Sequence, residues 1–118
     1  MHGQPETPNR ANPLVQATLL GEALEAARVA AFLFDEDRNY VAVNSYACEL
    51  TGYARSELLN LLVDVGDEFE EIVSRRRSSG RAELRRKDGT LATVAYRAIP
   101  TDIGGIPFIL GLFWPEES

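Results

Sequence analysis

The spacing of apolar residues along this chain changes three times, and each change marks a new kind of element. Leu14, Ala17, Gly21, Leu24 and Arg28 fall at helical spacing along one edge, with Leu20 and Ala27 beside them. This predicts an N-terminal amphipathic helix over 14–28, capped by Asn12 and entered through Pro13. Val29 to Asp35 is an apolar run that ends in Asp35-Glu36-Asp37-Arg38-Asn39, and Tyr40 to Val43 alternates towards Asn44. Two strands joined by an acidic turn are expected there. Ser45 to Thr51 reads as a short helix stopped by Gly52 in a left-handed conformation. Ser56 and Asp67 open two further helices, the second running through Phe69, Ile72 and Val73 to a Ser-Ser-Gly stop.

The last third returns to the strand period. Arg81 to Arg86 alternates weakly, Lys87-Asp88-Gly89 makes a tight turn, and Leu91 to Ile99 forms a longer strand. Thr101 to Gly105 turns the chain again into Pro107 to Trp114. Before the first helix, residues 1–13 are polar, carry three prolines and have almost nothing to bury, so they read as a mobile tail. The organisation expected is thus a tail over 1–13, a helix over 14–28 and an α+β core over 29–115.

Composition narrows the function. A chain of 118 residues suits one domain, and 45% hydrophobic with 25% charged residues is ordinary for a globular protein. A net charge of −6 argues against a nucleic-acid binder. Arg75, Arg76, Arg77, Arg81, Arg85 and Arg86 are the exception, read as a solvated helix end and a charged edge strand. Eleven arginines against one lysine suggest a bacterial source. No run of 18 apolar residues is present to span a membrane, and one cysteine fits a reducing cytoplasm.

The order of elements, together with Asp35-Glu36-Asp37, Asn44, Leu50-Thr51-Gly52-Tyr53 with Glu57, and Arg86-Lys87-Asp88-Gly89-Thr90, resembles a PAS domain over Leu20 to Trp114. The resemblance implies a five-stranded antiparallel sheet with short helices on one face and the N-terminal helix against the other. It implies a sensor rather than an enzyme. Two departures stand out: the stretch from Gly66 to Gly80 is short, and the Asp-Ile-Thr that often couples the last strand to an output helix is absent. A stand-alone sensor and one separated from its output module both fit.

The cofactors of this family need particular residues. Haem sensors of the oxygen-sensing type need an axial His on the long helix, and the only His is His2 in the tail. Covalent flavin chemistry needs a thiol past the Gly-Tyr pair, where this chain reads Asn60-Leu61-Leu62-Val63. Cys48 has no His or cationic neighbour to activate it and reads as a small packing residue. No Cys or His cluster is present to hold zinc, the acids Asp35, Glu36 and Asp37 read as a solvated turn, and Glu70 with Glu71 point to different sides of a helix.

Strand alternation aligned with the PAS arrangement assigns an inward set: Phe32, Phe34, Leu84, Val94, Tyr96, Ile109 and Phe113, joined by Leu58, Leu62, Phe69, Ile72 or Val73. These side chains either pack as a core or line an apolar pocket for a ligand such as a fatty acid, with Tyr96 as the one inward hydroxyl to hold its polar end. The outward set, Ala31, Leu33, Ala95, Ile99, Leu110, Leu112 and Trp114, is too apolar to leave in water. With Leu14, Ala17, Leu20 and Leu24 of the helix it forms an expected homodimer interface, against a monomer whose helix covers its own sheet. The function expected is a cytosolic signalling or interaction module that passes a change at the inner face to a partner or an output domain.

Overall fold

Glycine and proline positions delimit the elements seen in a computed structural model, which describes residues 11–116. Asn12 caps the first helix, its Oδ1 accepting from the Leu14 N–H at 2.8 Å, and Pro13 is the first residue of α1 (Pro13–Ala26). The sequence places this helix at 14–28; it stops two residues sooner because Ala27 is extended, at φ −69° and ψ 151°, and leads into the sheet. The expected tail is accordingly shorter at its inner end, and its residues 1–10, with His2, lie outside the described residues.

The acidic turn links β1 (Ala30–Phe34) to β2 (Tyr40–Val43). Three helices follow: α2 (Ser45–Thr51), α3 (Arg55–Leu58) and α4 (Glu68–Val73). Gly52 ends α2 at φ 82°, in the left-handed conformation that the sequence anticipates. The third helix starts at Arg55, ahead of Ser56, because Glu57 reaches back to accept from the Ala54 N–H at 2.8 Å.

The remaining strands are β3 (Ser79–Arg85), β4 (Leu91–Ile103) and β5 (Ile106–Pro115), and the antiparallel sheet runs in the order β2-β1-β5-β4-β3. Ser79 and Gly80, read from the sequence as a helix stop, belong to β3, where they pair with Arg97 and Tyr96. β4 runs four residues past Ile99, since Gly104 and Gly105, at φ 60° and 82°, close a two-residue hairpin that needs positive φ at both positions. The helices α2 to α4 and the segment through Val63 and Val65 cover one face of the sheet, and the core lies between.

Candidate functional site

The inner face is filled by rings. Phe32 meets Tyr40 at 5.3 Å between centroids and Phe113 edge-on at 5.4 Å, Tyr96 meets Phe113 at 5.6 Å, and Phe34 meets Phe69 at 5.9 Å. Gly111 makes room for this cluster: a Cβ there would fall 2.6 Å from a Phe113 ring carbon and 3.1 Å from one of Phe34. The gap between Phe32, Phe34, Tyr40, Leu84 and Phe113 does not admit a water-sized sphere. Of the inward set, Phe32, Phe34, Leu58, Phe69, Ile72, Leu84, Val94, Tyr96, Ile109 and Phe113 are buried together.

Leu62 is not among them. It is 60% exposed, because a bridge between Asn39 and Leu62 and a hydrogen bond from the Val63 N–H to the Arg38 carbonyl hold this stretch extended. Alternation then sends Val63 and Val65 inward and Leu62 out.

The Tyr96 hydroxyl donates to the Glu68 carboxylate at 2.6 Å, and Arg77 lies 3.4 Å from the same group. Burial, then the bond to Glu68, holds the Tyr96 phenol above its ordinary value. Its hydroxyl thus has a partner within the chain itself. Tyr40 is a second inward phenol, raised by burial and then by the charge of Asp64.

The outer face is uneven. Ala31 is only 4% exposed, contrary to its assignment to the exposed patch, because Gly21, Leu24 and Glu25 of the last turns of α1 lie over Ala31, Leu33 and Leu110. Leu33, Leu110, Leu112 and Ala95 are half-buried, while Ile99 and Trp114 are exposed. Among the described residues the rest of α1 is largely open: none of its residues is buried, Val15 is half-buried, Ala17 is exposed, and Leu14 and Leu20 are 78% and 69% exposed. The amphipathic stripe read from the sequence is really a broad apolar surface. At 3.6 residues per turn, Leu14, Val15, Ala17, Leu19, Leu20, Ala23, Leu24 and Ala26 span roughly three quarters of the circumference.

What holds α1 to the domain is polar. The buried Asn44 amide donates to the carbonyls of Leu24 at 2.7 Å and Val29 at 2.9 Å, and its Oδ1 accepts from the N–H groups of Ala31 and Ala47 at 2.9 and 3.0 Å. Beside it, Glu25 accepts from the Ser45 hydroxyl and from Arg55 Nη2 at 2.8 Å. The Ser45 bond first, and Arg55 second, lower the Glu25 carboxyl below its ordinary 4.5. A depressed acid stabilises its contacts above the ordinary value and loses them as pH falls through the lowered one. Amide exchange in the last turn of α1 is therefore expected to be slow at neutral pH and to speed up, after correction for intrinsic rates, below the carboxylate range. Arg55→Glu is expected to speed it at neutral pH, and the swap Glu25→Arg with Arg55→Glu to restore protection.

The model of the PAS domain family matches residues 18–88, more than half of the chain. The chain belongs to the PAS domain family. No curated protein matches it in sequence. Solved structures carry the PAS fold through β4 and β5. A PAS domain from a two-component sensor histidine kinase is 17% identical, with a TM-score of 0.76, over 87% of this chain and 98% of that one. The PAS domain of an HTR-like protein from Haloarcula marismortui is also 17% identical, at 0.74, over 94% and 100%. That of nitrogen regulation protein NR(II) from Vibrio parahaemolyticus is 11% identical, at 0.69, over 83% and 98%. PAS domains are sensory and regulatory domains of signal transduction.

Within this PAS domain the other candidate residues make local contacts. Asp35 closes the β1–β2 turn, accepting from the backbone N–H groups of Asp37 at 2.9 Å and Asn39 at 2.8 Å. Cys48 is half-buried against the core. Arg75, Arg77, Arg81 and Arg85 pair with Glu71, Glu68, Glu116 and Asp64. Among the described residues no three of His, Cys, Asp and Glu converge as metal ligands, and no helix is long and apolar enough to cross a membrane. The sequence reading missed Asn44 as the link to α1, since its partners at Leu24, Val29 and Ala31 lie 13 to 20 residues away, and missed Val63 and Val65, whose alternation in Leu62-Val63-Asp64-Val65 is the signal that finds them.

Proposed function

We propose that this PAS domain is a non-catalytic interaction module of a cytoplasmic signalling protein and works as a homodimer joined through α1 and the outer face of the sheet. The observation that carries this is the exposure of α1. A helix apolar around most of its circumference is stable when buried, and one sheet face in its own chain has room for only one side of it. A second copy supplies a matching helix and a matching patch, Ile99, Leu110, Leu112 and Trp114, so that both are covered by one two-fold contact. The polar link at Asn44 and Glu25 fixes the direction of α1, and the end of β5 at Trp114 lies on the same face. A change in the core that moves β5 is passed there to a partner or an attached output domain.

The ring contacts across the inner face and the engagement of Tyr96 by Glu68 favour a packed core over a fatty-acid pocket. They favour function without haem or covalent flavin chemistry as well. The test is native mass spectrometry alongside sedimentation. A dimer at micromolar concentration that carries no extra mass is expected, and Leu20→Glu is expected to turn it into a folded monomer. A wild-type monomer removes the homodimer, and a mass excess released as lipid on denaturation replaces the packed core by a ligand pocket.

A further inference from the structure

The outer face is covered by α1 on the β1 side, over Ala31, Leu33 and Leu110. On the other side of β5 lies β4, where Ala95, Arg97 and Ile99 point outward because Tyr96 and Ala98 between them are buried. These three residues pair with Trp114, Leu112 and Leu110 of β5. Ile99 and Trp114 are exposed and Leu112 is half-buried. Arg97 is therefore a cation set in the middle of an open apolar patch.

The other charges of this side are matched or distant. Arg81 pairs with Glu116 at 2.6 Å and Arg85 with Asp64 at 3.2 Å. Glu83 is opposite Thr93, four residues along β4 from Arg97 and so roughly 13 Å away. Among the described residues Arg97 has no ion-pair or hydrogen-bond partner.

The helix α1 shows the same pattern with the opposite charge. It carries two acids, Glu22 and Glu25. Glu25 is held by Ser45 and Arg55, whereas Glu22 is exposed and has no partner among the described residues. Leu19, Glu22 and Ala26, spaced three and four residues apart, share the exposed face that turns away from Leu24. Along α1 this face reads apolar, anion, apolar over roughly 10 Å, and along β4 the patch reads apolar, cation, apolar over roughly 13 Å.

We propose that Arg97 pairs with the partner's Glu22, twice in each two-fold dimer, and that this pair makes the contact selective for a second copy of the chain. The inference rests on the homodimer proposed above and adds what sets its register. Closing two apolar surfaces on each other strips water from both charges. An ion left unpaired there opposes association, while a matched one fixes the alignment and rejects apolar helices that lack an acid at this position.

The test is a charge swap read by sedimentation and native mass spectrometry of the full chain. Glu22→Arg and Arg97→Glu are each expected to weaken dimerisation about tenfold or more, since each sets like charges together at both contacts. Both positions are exposed in the single chain, so each variant is expected to keep the wild-type circular dichroism spectrum. Mixed in equal amounts, the two variants are expected to form a heterodimer of wild-type affinity, because both pairs are then restored between chains. Recovery in the double variant without recovery in the mixture places the pair within one chain and overturns the proposal. Glu83→Arg, the same change of charge on the same face, is expected to leave the dimer intact; an equal loss there reduces the effect to net charge and also overturns it. A wild-type monomer removes the homodimer itself, whereas a wild-type dimer that neither Glu22→Arg nor Arg97→Glu weakens keeps the homodimer and overturns only the pair.

Discussion

Asn44→Ala is expected to lower the unfolding free energy by about 3 kcal/mol, read as a drop in the urea midpoint at fixed protein concentration. One side chain makes four hydrogen bonds, joining α1, the entry to β1, β1 itself and the first turn of α2. Alanine strands the N–H groups of Ala31 and Ala47 in a buried setting, each at a cost of about 1–2 kcal/mol, while the Leu24 and Val29 carbonyls lose their donor. Asn44→Asp separates the two halves of the role. It keeps the acceptor for both N–H groups but sets a carboxylate against two carbonyl oxygens, so it is expected to release the end of α1 even where the sheet survives. An Asn44→Ala domain as stable as the wild type, with α1 still protected from exchange, contradicts this account of how the helix is held.

Phe113→Ala is expected to have a still larger effect, about 4 kcal/mol, which is a large fraction of the stability of a domain this size. Phe113 is fully buried at the centre of the sheet, with Phe32 edge-on to one side and Tyr96 on the other. Its neighbours belong to strands, so they relax little and a cavity remains. The same variant tests the packed core. If the rings are the core, the urea midpoint falls with no bound mass to lose; if the native protein holds a lipid there, native mass spectrometry of the wild type and the variant shows lipid lost as the midpoint falls.

Local pattern determined most of the scaffold. Asn12-Pro13, the Asn44 start and Gly52 stop of α2, and the turns at Gly89 and Gly104-Gly105 act within a few residues, and the period-two alternation of β3, β4 and β5 selects Leu84, Val94, Tyr96, Ile109 and Phe113 for the core. These features follow from nearest-neighbour backbone geometry, so they are legible in a single sequence. What the tertiary structure decided is non-local. Leu62 turns out because its stretch is bridged to Asn39, Ala31 is covered because α1 ends above it, and Tyr96 is engaged because Glu68, 28 residues away, comes to meet it. Arg97 stands in an open apolar patch because α1 ends over the β1 side of the sheet, a relation that has meaning only once the strands are in order. The sequence by itself determined which residues are apolar and at what period. Only the tertiary structure decided which of those surfaces find a partner within the chain, because burial depends on distances between segments that no local pattern encodes.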